Sequence, residues 1–138
     1  MFPFSFHGSL AIMVSKEEAI EMLASRLKTT PASGIAINDH SICFQGDWGM
    51  YSPLAGINKA TVDFATLNVS EAEVKYTVYM GKNVLAHLIM MGFALLATKP
   101  DRWELVVGIS LAVMLVMAIN HVIALLRFDS FLEKAFVL

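Results

Sequence analysis

Two histidines stand inside the most apolar part of this 138-residue chain. His87 interrupts the run Val84 to Ala97, and His121 interrupts Leu105 to Leu126. An ionisable residue in such a run is costly in a bilayer and commonly functional. Two imidazoles on facing helices can ligate one haem iron axially, and one alone can hold the magnesium of a chlorophyll-type pigment. Counted from the cations Lys82 and Arg127, five and six residues away, the two histidines lie at similar depth. Counted from the turn between the runs, 12 residues separate His87 from Lys99 and 18 separate Trp103 from His121. That difference is about 9 Å along a helix axis. The alternative use of both is hydrogen bonding between helices or to headgroups and water.

Other chemistry is sparse. Met90, Met91, Met114 and Met117 have no cysteine or close histidine array beside them to make a soft-metal site, so they read as packing or lipid-facing residues. His7 and His40 have no positioned nucleophile, and Ser9 and Cys43 have no motif around them. Glu17, Glu18 and Glu21 read as the solvated face of a helix near its positive end. No phosphate-cradling glycine loop and no metal-spaced His/Glu set occurs in the sequence. The single cysteine excludes an internal disulfide and a multi-cysteine zinc site. A net charge of −2 with no Lys/Arg cluster excludes a nucleic-acid binder. These residues predict a protein that is not an enzyme.

Composition shows where those residues must be held. The chain is 57% apolar and 16% charged, against about 25% charged in ordinary soluble proteins, and the apolar surplus lies after residue 83. The 22 residues from Leu105 to Leu126 would make a helix of about 33 Å, matching a hydrocarbon layer of about 30 Å. The 14 residues from Val84 to Ala97 reach only about 21 Å, so that helix is expected to begin near Met80 with Lys82 and Asn83 at the interface. Thr98 to Glu104 is polar, with Pro100 to stop a helix and Trp103 as an interfacial anchor. The expectation is a transmembrane helical hairpin over 83–128, with spans at about 80–98 and 104–127. Lys75, Lys82, Arg127 and Lys134 flank it on the side of the termini, against Lys99 and Arg102 in the turn. This bias, with no basic segment or cleavage site around the apolar residues 1–14, predicts a two-pass membrane protein with both termini cytoplasmic.

Residues 1–82 read as an α+β domain. From Phe2 to Val14 the even positions are apolar except for Gly8, the period of a half-buried strand. Ser15 to Glu18 is a capping box, and Ile20, Leu23, Ala24 and Leu27 follow at helical spacing until Pro31 forbids continuation. Strands are expected at 34–37, 41–45, 60–67 and 73–80, with turns at Asn38–His40 and Asn68–Ala72. The last strand should bury Val74, Tyr76, Val78 and Met80 on one face. Asn68-Val69-Ser70 fits a glycosylation sequon but reads as turn sequence in a cytoplasmic domain. A strand, helix, four antiparallel strands and helix in that order resemble the TATA-binding-protein-like and helix-grip folds. The resemblance is one of topology and implies one curved sheet holding a helix, with no function attached.

The segment 46–59 combines three glycines and a proline with Trp48, Met50, Tyr51, Leu54 and Ile57. It reads as a docking loop, as an element resting on the bilayer, or as apolar residues capping the sheet's open end. Gly108 and Ala112 form a small-xxx-small pair, and Asn120 and Ser110 can hydrogen-bond to another helix. In the tail 129–138, Phe131, Leu132, Ala135, Phe136 and Leu138 fit one side of a short amphipathic helix. Together these features predict a non-catalytic accessory, assembly or scaffold subunit of a membrane complex. Its partners would be membrane lipid and other membrane subunits or copies of itself. Two other readings stand beside it: a carrier of haem or a chlorophyll-type pigment on His87 and His121, and a membrane-tethered module binding lipid or a small apolar ligand.

Overall fold

The computed structural model describes residues 5–47, 52–97 and 102–137. It has eight elements: β1 (Ser5–Ile12), α1 (Lys16–Lys28), β2 (Ala32–Ile37), β3 (Ser41–Gly46), β4 (Lys59–Asn68), β5 (Glu71–Tyr79), α2 (Gly81–Leu96) and α3 (Trp103–Phe136). The strands form one antiparallel sheet in the order β1-β5-β4-β3-β2. The protein is therefore α+β, with the sheet's elements followed by helices.

Period-2 patterning assigns the faces. On β5 the side chains of Ala72, Val74 and Val78 are buried with Met80 just beyond, while Lys75 and Tyr79 face outward. On β4 Ala60, Val62 and Phe64 are buried, and on β3 Ile42 and Phe44. The opposite face is polar: the register aligns His7, Thr77, Thr61 and Cys43 in one row across four strands. The His7 Nδ1 and Thr77 Oγ1 lie 3.0 Å apart, and Cys43 Sγ donates to Thr61 Oγ1 at 3.5 Å.

Two helices cover the apolar face, where the sequence predicts one. The first is α1, whose N-cap Ser15 hydroxyl accepts from the Glu18 amide at 3.3 Å and whose Ala19, Leu23 and Leu27 are buried. The second is the end of α3. Its buried residues Ala124, Phe128, Phe131, Leu132, Ala135 and Phe136 recur at three- and four-residue spacing, the stripe of a helix lying on a sheet. The predicted boundary at 128/129 thus has no counterpart in the backbone: residues 129–136 continue α3 without a break. Nothing in 127–131 can stop a helix, and Phe128, Phe131 and Leu132 supply the apolar side that packs.

Gly46 lets the chain between β3 and β4 fold back onto the sheet. A Cβ there would lie 2.4 Å from the Leu54 carbonyl oxygen and 2.6 Å from that of Ile57. The Ser52 hydroxyl accepts from the Leu54 amide at 3.2 Å, which tightens the return and drives Leu54 and Ile57 into the core.

Candidate functional site

The feature that sets this chain apart is the junction where α3 enters the sheet domain. From Trp103 to Ile123 no residue of α3 is fully buried, and large side chains such as Leu111, Leu115 and Val116 are exposed. From Ala124 onward one side of the same helix is core. Three aromatic contacts fix it there. Phe128 lies 5.2 Å from Tyr76 edge to face and 6.3 Å from Phe44, and Phe136 meets Phe64 edge to face at 6.3 Å. Such pairs contribute about 0.5–1.5 kcal/mol each beyond the burial of their area.

One polar bond sits among them. The Tyr76 phenol donates to the Asp129 carboxylate, joining β5 to α3. Burial holds the phenol protonated, and the bond to Asp129 and its negative charge act in the same direction, so the pKa is pushed up to about 12. A cleft of about 190 Å³, lined by Ser9, Leu132 and Glu133 among others, opens beside the pair. The ring has room because its register partner on β1 is Gly8. A Cβ at Gly8 would come within 2.3 Å of the phenol oxygen and its ring carbon. Tyr76, Asp129 and Gly8 are absent from the sequence-derived site residues. The signal in the sequence was Gly8 alone, the one gap in an otherwise apolar strand face, since glycine in a strand interior marks a close approach.

The structure scatters the residues singled out from sequence. His121 lies on α3 at the sheet's edge, with its ring 6.4 Å from that of Phe6 at the start of β1. Its Nδ1 is 2.7 Å from the Met117 carbonyl oxygen, which requires a proton on Nδ1. Nε2 is buried and has no hydrogen-bond partner among the described residues. His87 is partly buried near the end of the second turn of α2, which packs against α3. Among the described residues no group of three or more His, Cys, Asp and Glu is placed to hold a metal ion.

Gly108, Ala112 and Asn120 are exposed on α3, and a Cβ at Gly108 would meet nothing within 4 Å. Ser110 instead bonds back to the Val106 carbonyl at 2.9 Å within its own helix. In the 46–59 segment, Trp48, Met50 and Tyr51 lie outside the described residues. Leu54 and Ile57 are core residues, so they cap the sheet and present no surface to a partner. Their neighbour Asn58 acts on the next element instead, where its side-chain oxygen accepts from the Lys82 amide at 2.9 Å and so caps the start of α2. His40 lies beside Lys16, with 2.9 Å between Nδ1 and Nζ, and the Asn68 side chain is spent inside its own turn, accepting from the Ser70 amide at 3.0 Å.

One described helix, α3, is long and apolar enough to cross a membrane; α2 includes a shorter apolar helix, Val84–Leu96. No known protein family and no curated protein matches the sequence. Among solved structures, the chain is similar to a conserved protein from Geobacillus kaustophilus at 10% identity, over 96% of this chain and 95% of that one, with a TM-score of 0.36.

Proposed function

We propose that the protein is a two-pass membrane protein with a cytoplasm-facing α+β domain, and that it serves as a non-catalytic accessory or scaffold subunit of a membrane complex. The observation that carries this reading is the continuity of α3 from an exposed apolar segment into the core of the sheet. A helix without a hinge fixes the height and tilt of the domain against the bilayer, as a positioning subunit requires and a freely tethered binding module does not. The second span would be α2. Its 16 residues give about 24 Å, short of the hydrocarbon thickness, so it would be met by local thinning or by interfacial residues at its ends. Leu85, Met90, Phe93 and Leu96 on α2 are exposed apolar surface of a kind rarely tolerated in water, and lipid would cover them. Gly108, Ala112 and Asn120 then face outward in the membrane, open to another helix.

Extraction from the native membrane in mild detergent tests this. A stoichiometric assembly larger than the lone chain supports the accessory subunit, and a lone monomer contradicts it. The second reading, a pigment or haem carrier, is favoured by the buried, unpartnered Nε2 of His121. It predicts a visible absorption band that His121→Ala abolishes, and a colourless protein sinks it.

A further inference from the structure

Beside the junction, the C-terminal end of α1, the segment Ser52–Pro53 and α3 enclose an open cleft of about 560 Å³. Three cations line it: Arg26 from α1, and Arg127 and Lys134 from α3. No carboxylate is among its described lining residues. Glu21 lies in an adjoining groove, which shares Arg26 and Lys134 with the cleft. Ser130 adds a hydroxyl, while the Thr30 hydroxyl proton is given to the Arg26 carbonyl and the Ser52 oxygen already accepts from Leu54. The carbonyl of Arg26, which would repel an anion, accepts from the Thr29 and Thr30 hydroxyls at 2.9 Å each.

We propose that this cleft binds the phosphate of an anionic membrane lipid. Arg127 and Lys134 are seven residues apart, so they lie on one side of α3 about 10 Å apart along its axis. The lining residues immediately before them, Ile123 and Leu126, are exposed and apolar. The cleft therefore changes from apolar to cationic along α3 at the point where the helix passes from its exposed segment into the domain. A phospholipid changes from acyl chain to phosphate over the same interval. Arginine suits a phosphate because its fork meets two of the oxygens at once. A free phosphate would use the cations and leave Ile123 and Leu126 unused.

This site rests on the membrane reading, and the test separates the two. Membranes containing the full chain are first washed at alkaline pH. Release of the protein overturns the membrane reading, and the lipid site with it; retention isolates the site as the only claim in question. The retained protein is then purified in detergent and titrated with phosphatidylglycerol, phosphatidylcholine or inorganic phosphate, following its thermal unfolding. Phosphatidylglycerol is expected to bind at least about tenfold more tightly than phosphatidylcholine, and Arg127→Gln with Lys134→Gln to weaken it by about thirtyfold. Equal binding of the two lipids, or indifference to the double substitution, overturns the site. Inorganic phosphate binding as tightly as phosphatidylglycerol assigns the cleft to a soluble phosphate and overturns the lipid. Should the double variant fail to fold, the wild-type comparison of the two lipids decides, and Arg127→Lys with Lys134→Arg must retain the preference.

Discussion

Tyr76 is where residue chemistry and architecture meet, because its phenol is both the bond from sheet to helix and the side chain that demands a glycine opposite. Replacing Gly8 with alanine would push the ring off Asp129 and strain its contact with Phe128. We expect Gly8→Ala to cost about 1–3 kcal/mol, the usual penalty for overpacking, measured by denaturant unfolding. The same bond gives a pH dependence of defined sign. The fold pushes the Tyr76 phenol up from the ordinary 10.0 to about 12 and so favours its protonated form. Its contribution is complete below the unfolded value and is lost as pH rises toward the folded one, because in that interval the unfolded state sheds the proton first. An ultraviolet titration should show a late phenol that Tyr76→Phe removes. The period-2 pattern places Tyr76 on the inward face of its strand and leaves Gly8 as a gap in that of β1, but it joins neither to Asp129. The partner of Tyr76 lies 53 residues away on another element, a pairing that no local pattern encodes.

At the scale of elements, local patterning served well wherever one face of an element decides its burial. The alternation on β1 and β5, the Ser15 hydroxyl cap on the Glu18 amide and the stop near Pro31 all reappear in the structure, because each is set by neighbours within a few residues. The end of α3 was legible in part. Its apolar side was visible in Phe131, Leu132, Ala135 and Phe136, but that side has the same appearance on a membrane surface as on a sheet. The surface it covers is assembled from β3, β4 and β5, so only the folded sheet distinguishes the two. The loop residues Leu54 and Ile57 show the converse, since apolar side chains beside glycines look alike whether they dock outward or fold inward. Phe128 tests the junction: it is fully buried, and Phe128→Ala should cost about 3–5 kcal/mol and loosen α3 from the sheet. Leu111→Ala, an exposed position on the same helix, should change stability in detergent far less. Asn58→Ala, which uncaps α2, should cost about 1 kcal/mol.

For the whole molecule, the account turns on α3 carrying the domain at one end and crossing the bilayer with the other. The apolar surplus after residue 83 made a long apolar helix readable from composition, whereas its unbroken continuation into the domain core was not, since that depends on where the sheet's apolar face lies. Sidedness is the most direct test. In a Cys43→Ser background, one cysteine is placed at Val69, in the turn between β4 and β5, and separately at Arg102, the N-cap of α3. Each variant is then treated in sealed native membrane vesicles with an impermeant thiol reagent. The account predicts that Val69→Cys reacts only from the cytoplasmic side and Arg102→Cys only from the opposite side. Modification of both positions from one side would show that α3 does not cross the membrane and would contradict the account.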